Sequence, residues 1–471
     1  MFGKAFGHGV DVVVNILSNW EVWLFIVLMG FVAAAPVFPS INILALIREF
    51  ILYTWWFWLF FLLFELFRAL FLHWRQQKFK KAEMAAEKFL LLEIRIPREM
   101  DKSPKAMAQV LGSLHMLGSG PGNWHEKYLD GQVPIWSALE IVKLEGEMHL
   151  YLRIPKKNRH LVEVAFFSNY PDVEVSEVAD YMRNLPATTA EMYAREMDIW
   201  GTEMKLGSED AYPIKTFADF ESAEKQSDPI AVFLEVLGKL TEEEVACIQI
   251  IISPAPKDWA KKWEKVLDKL RELKFVDAGD AKVPLPATPG KSDMIAAVER
   301  KLTKSAFNTL IRIGYIAPVT LMKSGSAFAR GGIVGAFNQY ASPKLNSFKG
   351  NSETATKVDK WDWPHVNLNK RLEYRKQRML HNLRERVNPP ETFTAALLSS
   401  FFYDWNLDSK YFELSIDELA TIFHPPSSVV LTAPHMRRVE SKKAGPPSGL
   451  PIFGEEEHLD KFRTGIESSS K

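Results

Sequence analysis

The string closest to a nucleotide site is TPGKSD, Thr288–Asp293. A phosphate-binding loop needs a glycine five residues before its Gly-Lys-Ser, so that successive backbone N–H groups can cradle phosphates. Leu285 holds that position, and the residues before it are Pro-rich rather than a strand. Ser292 therefore reads as the N-cap of a following helix. The eleven histidines form no HExxH and no His-x-His pair. His160 and Glu163 are one helical turn apart without a second such pair, the pattern of a solvated helix face. His424 precedes Pro425 and Pro426, which reads as a fixed turn. The single cysteine, Cys247, sits in the apolar run VACIQIII and reads as a buried small hydrophobe; a disulfide within the chain is excluded. Glu242 and Glu244 lie at a helix start, Gly118–Gly122 lacks the helix of a dinucleotide loop, and no Gly-x-Ser-x-Gly elbow occurs. No catalytic residue, cofactor site or metal site is read, and a non-enzymatic role is expected.

One charged segment remains. KRLEYRKQRMLHNLRER, Lys370–Arg386, carries seven basic and two acidic side chains in a chain whose 58 Lys and Arg balance 58 Asp and Glu. Lys370, Arg371, Arg375, Lys376 and Arg378 are candidate contacts to phosphates, of DNA or of lipid headgroups. The same run also fits a solvated helix face, or one docked on an acidic partner.

The elements that would position these residues begin with an apolar N-terminal region, 1–88. Phe50–His73 reads FILYTWWFWLFFLLFELFRALFLH. Its uncharged part, Phe50–Phe64, would extend about 22 Å as a helix, and the stretch through Leu72 about 34 Å, against a hydrocarbon core of ~30 Å. A weaker apolar segment, Val22–Ala35, ends at Pro36 and Pro39. These residues predict a transmembrane helical hairpin with spans near 13–36 and 49–73, followed by a helical neck. Trp55, Trp56, Trp58, Trp74 and Arg75 are the expected membrane-interface residues. Lys78, Lys80, Lys81 and Lys88 follow the second span, so the body is expected on the cytoplasmic side of the cell membrane.

The body reads as α+β. Residues 89–180 run strand, helix, strand, strand, helix, strand, the order of a ferredoxin-like (split βαβ) sandwich, with a tight hairpin at Glu145–Gly146. Residues 198–342 read as a second α+β module, another version of the same sandwich with insertions; Ala211–Thr216 is one of its expected strands and Asp277–Pro289 an exposed loop. A polar mobile linker is expected over 343–369, a helical basic segment with further elements over 370–432, and an extended Pro-rich tail over 433–471.

Several strings together resemble a known family: LEIRIPRE with KSPKAMAQVL (Leu92–Leu111), DIWGTEMKL (Asp198–Leu206), IVGAFNQY (Ile333–Tyr340), ELSIDELATIFHPPSSVV (Glu413–Val430) and RRVESKKAGPPSGLP (Arg437–Pro451). They are similar to an uncharacterised bacterial family found beside conjugation-like type IV secretion genes, and also as the region preceding HerA/FtsK-like motor ATPase cores. The resemblance covers roughly residues 89–451 and carries no known chemistry. In the longer relatives the Pro-rich tail leads into the ATP-binding core, whereas this chain ends twenty residues after Pro451. The resemblance thus implies a scaffold that docks a separately encoded motor ATPase. Val439, Pro446, Pro447, Leu450 and Pro451 are the expected partner contact. The lipid bilayer, DNA and further copies of the chain are the other expected partners.

Overall fold

In strand β1 (Phe89–Pro97), FLLLEIRIP alternates a few polar residues with β-favouring apolar ones, and its neighbours follow the same pattern. The computed structural model describes residues 43–97, 103–117, 120–221, 228–272, 275–278, 281–284, 288–324, 326–359, 367–389, 409–427 and 438–439. Helix α1 (Ile43–Glu83) leads into β1, then come α2 (Pro104–Leu117), β2 (Ser137–Leu144), β3 (Glu147–Pro155), α3 (Arg159–Asn169) and β4 (Glu174–Val178). Glu145 and Gly146 both take positive φ, 50° and 83°, as a two-residue hairpin between β2 and β3 requires. These strands lie in the order β4-β1-β3-β2, every neighbour antiparallel.

The second half contains α4 (Thr189–Ala194), β5 (Met197–Leu206), α5 (Ala231–Gly238), β6 (Val245–Pro254), a small β7–β8 hairpin (Phe275–Ala278, Ala281–Pro284), α6 (Pro289–Leu302), β9 (Ala306–Pro318), α7 (Ser326–Ala336) and β10 (Phe348–Asn351). Its strand order, β10-β5-β9-β6, repeats that of the first half with an insertion between β6 and β9. The halves are not separate modules. Strand β2 pairs with β6 over Ser137–Lys143, so the corresponding strands of the two halves meet edge to edge in one large antiparallel sheet. A pseudo-twofold axis runs between them.

The C-terminal elements close this sheet on both faces. Helix α8 (Leu368–Glu385) crosses one face; β11 (Phe412–Ser415) joins β9, and α9 (Ile416–Ile422) packs against α2 on the other. The main core lies beneath α2, α3, α5, α7 and α9, with Leu92, Ile141, Phe166, Ile248, Phe337, Leu419 and Phe423 inside it. Helix α9 carries a capping box, Ser415 to Glu418, and the buried Glu418 is paired with Lys301 of α6 at 3.1 Å. β12 (Arg438–Val439) lies parallel to the end of β1.

Several sequence expectations are corrected. Among the described residues, no helix is long and apolar enough to cross a membrane, so the transmembrane hairpin is not supported. The first expected span, 13–36, lies outside the described residues; the second, 49–73, falls within α1. Its apolar run carries Tyr53, Trp55, Trp56 and Trp58, which favour interfaces over hydrocarbon, and Glu65 and Arg68 pair within it at 2.6 Å. Ala211–Thr216 forms no strand, part of the expected loop 277–289 is the β7–β8 hairpin, and the expected mobile linker contributes β10 to the sheet. The first helix turn of α6 starts at Pro289 with Thr288 as its N-cap, four residues earlier than expected.

Candidate functional site

One row of side chains crosses eight strands. In antiparallel pairs, directly opposite residues share a sheet face. Ser176 faces Glu93, Glu93 faces Tyr151, Tyr151 faces Glu140, and Glu140 faces Gln249 across the junction of the halves. Gln249 then faces Arg312, Arg312 faces Glu203, and Glu203 faces Asn351. From Glu93 to Asn351 every member is buried. Pseudo-symmetry pairs Glu140 with Gln249, Tyr151 with Arg312, and Glu93 with Glu203.

Helix α8 lies over this row in a groove that two glycines open. Gly201 and Gly314 are directly paired, and a Cβ on either would stand 2.6 Å from Met379 Cγ or 2.5 Å from Leu383 Cδ1. The helix ends directly above the junction. Arg312 Nη1 donates to Asn382 O at 3.0 Å, Gln249 Nε2 donates to Leu383 O at 2.9 Å, and Trp136 Nε1 donates to Arg386 O at 2.7 Å. Asn382 O also accepts from the backbone N–H groups of Arg386 and Val387 at the end of the helix, and Arg312 complements the helix dipole there.

Arg386 takes left-handed φ, 49°, and turns its guanidinium down into the row. It donates from Nε to Glu140 Oε1 at 2.8 Å and from Nη1 and Nη2 to Asp180 at 2.6 and 2.9 Å. Burial alone would lower its pKa, but Glu140 and Asp180 outweigh burial and hold it well above the ordinary value. Asp180 is half-buried; burial favours its neutral form, but Arg386 outweighs it and holds the carboxyl below the usual range. Tyr181 donates to Glu140 Oε2 at 2.7 Å and touches Cys247 Sγ at 3.1 Å. Burial, with Glu140 nearby, pushes the Cys247 thiol up, which disfavours a thiolate. At one end His149 pairs with Glu93 at 2.6 Å and stacks on Tyr151. At the other, Glu203 accepts from Arg312 at 2.9 Å and from Ser409 Oγ at 2.6 Å. Arg153 lies over the Phe89 ring at 3.9 Å, and burial, followed by Arg386, lowers its pKa to about 10.

Charge in this row is matched pair by pair, so the arrangement positions α8 rather than presenting a reactive group. Among the described residues, no cluster of His, Cys, Asp or Glu could hold a metal ion. An open groove of about 360 Å³ lies between α4 and the start of α8, lined by Thr189, Asn369, Lys370, Glu373, Tyr374 and Gln377.

The phosphate candidates separate accordingly. Lys370 is exposed in that groove and Arg378 is half-buried. Arg371 and Arg375 are buried, Arg375 donating to Lys357 O. Lys376 is paired with Asp198 at 2.8 Å. Val439 lies in β12 beside Pro97, while Pro446, Pro447, Leu450 and Pro451 fall outside the described residues. Trp55, Trp56 and Trp74 are exposed on α1, which also carries Trp58. Arg75 is bound instead to the body, donating to Leu129 O and lying 3.7 Å from Asp130. Gly131, with φ +67°, admits this contact, because a Cβ there would be 2.6 Å from the Arg75 carbonyl carbon.

No single strand's sequence reveals this row. Its signal was present in the strings LEIRI, LEIVKL, CIQIII, LIRIG and TEMKL, each with a polar residue at mid-strand. Only the strand register aligns those residues.

A family model described as Domain of unknown function (DUF8128) matches residues 74–438, from the docked end of α1 to β12. No curated protein matches the chain.

Proposed function

The chain belongs to that family, and on that premise we propose that it is a non-enzymatic scaffold docking a separately encoded type IV secretion or DNA-transfer motor ATPase. We place it at the cytoplasmic face of the cell membrane. The observation that carries this reading is the form of α1. Between Leu52 and Trp74 it exposes Tyr53, Trp55, Trp56, Phe60 and Phe67, yet its last turns are held to the body. Phe79 and Met84 pack against Trp136, Ile251 and Leu310, and Lys80 Nζ donates to Asn388 Oδ1 at 3.2 Å. An apolar surface of this extent calls for a lipid or protein partner. The docked base would transmit the position of that partner to the sheet. The resemblance noted above supports the choice of a motor ATPase.

The test is co-purification of the full chain with the ATPase encoded beside it, with and without residues after Thr432. A stoichiometric complex weakened by the truncation is expected. An ATPase that elutes free of the full chain would overturn the proposal.

A second reading, a nucleic-acid-binding module, draws on Lys370 and the exposed Tyr374 in the α8 groove. It has fewer cations at its disposal than the sequence suggests, because Arg371, Arg375 and Lys376 are already engaged with the body.

A further inference from the structure

Helix α3 buries one face, Val162, Ala165 and Phe166, against the sheet. Its opposite face is also apolar. Leu161, Val164 and Phe167, spaced three residues apart, are 57, 64 and 46 % exposed. Such a stripe is one helical ridge long and has no partner among the described residues.

We propose that this face is an isologous interface with a second copy of the chain, two α3 helices packing antiparallel across a twofold axis at Val164. The stripe is self-complementary in that arrangement. Leu161 meets Phe167 of the partner subunit, and Val164 meets the partner's Val164 on the axis.

The charges agree with the same pairing. Lys156 and Lys157 are exposed just before α3 and Asp172 just after it, and none of the three makes an ion pair among the described residues. Basic residues at a helix start oppose its own dipole. Antiparallel packing moves Lys156 beside Asp172 of the partner subunit and next to the end of the partner's helix, where positive charge is favoured. A parallel pairing would instead place the lysines together. The acidic Glu163 is already neutralised by Arg159 at 2.8 Å, so no like charges are forced together near the axis.

The experiment is disulfide trapping of the full chain carrying Val164→Cys, in detergent so that α1 is covered. Cys247 is buried and stays silent. A control, Lys261→Cys, places an equally accessible thiol in the other half, on a side chain that is 69 % exposed. Val164→Cys is expected to give the disulfide-linked dimer as its predominant oxidised product, and Phe167→Glu in the same background should suppress it. In unmodified protein, Phe167→Glu should raise the dimer Kd by roughly tenfold or more, equivalent to ~1.4 kcal/mol. The proposal is overturned if Val164→Cys cross-links no faster than Lys261→Cys, or if Phe167→Glu leaves the yield unchanged. Association that persists in Phe167→Glu without Val164 cross-linking would assign self-assembly to another surface.

Discussion

Arg386 and Glu140 are 246 residues apart in sequence, yet the guanidinium Nε lies 2.8 Å from the carboxylate Oε1 in the interior. The contact joins the end of α8 to β2, the innermost strand of the first half, beside β6 of the second. Removing one member strands the other's charge in a low-dielectric setting.

Arg386→Ala is therefore expected to destabilise the fold by about 3–5 kcal/mol, read from urea unfolding. Arg386→Lys should recover only part of this, because an ammonium cannot fork to Glu140 and Asp180 together. Arg386→Gly should fall above Ala by about 1 kcal/mol, since glycine relieves the left-handed backbone. Equal stability of Arg386→Ala and the native protein would show that the contact is dispensable.

The glycine groove predicts a different pattern. Gly314→Ala forces a methyl into Leu383, at a cost of about 1–3 kcal/mol through overpacking. Leu383→Ala in the same chain should recover much of the loss that Gly314→Ala adds, so a double-mutant cycle will show strong coupling. Additive losses would mean that α8 does not rest on this glycine.

Acid should release the junction between α9 and α5. Asp228 accepts from Ser427 N and Oγ, both at 2.8 Å, and contacts His424 Nε2 at 2.8 Å. Burial opposes its ionised form, but His424 and the backbone N–H groups of Ser427 and Ile230 outweigh burial and lower its pKa to about 2. Because the folded pKa lies below the unfolded value of about 3.9, this stability is present above pH ~4 and is lost as pH falls toward 2. The contribution is roughly 2 kcal/mol. The stability gap between native protein and Asp228→Asn, followed by chemical denaturation from pH 5 to pH 2, should shrink across that interval. A constant gap would show that the carboxylate's ionisation carries no part of it.

The basic helix separates two kinds of cation. Lys370→Glu, at an exposed site, should change stability by less than about 0.5 kcal/mol, whereas Arg375→Glu should destabilise strongly by burying an unpaired carboxylate. If the nucleic-acid reading held, DNA affinity would fall steeply with salt and drop further in Lys370→Glu. Salt-insensitive or undetectable binding is the outcome the scaffold proposal expects.

Local signals determined part of this protein from the sequence alone. The strand order across 89–178 and the helices at 104–117 and 159–169 were legible because alternation, turn residues and the Glu145–Gly146 hairpin act over a few neighbours; the short helix Trp124–Tyr128 was not. The burial of Cys247 was legible for the same reason, whereas His424, expected in a turn, is buried between Ala420 O and Asp228. Tertiary structure alone decided that β2 and β6 pair, turning two repeated halves into one sheet, because exposed edges of similar strands are indistinguishable until they meet. It also decided the fate of the basic run. A row of Arg and Lys reads alike whether solvated or paired, and only the fold brings Glu140, Asp180 and Asp198 to Arg386 and Lys376 from distant strands and loops. The polar row was hidden for the same physical reason: each member is one residue in an apolar strand, and register across eight strands makes them a structure.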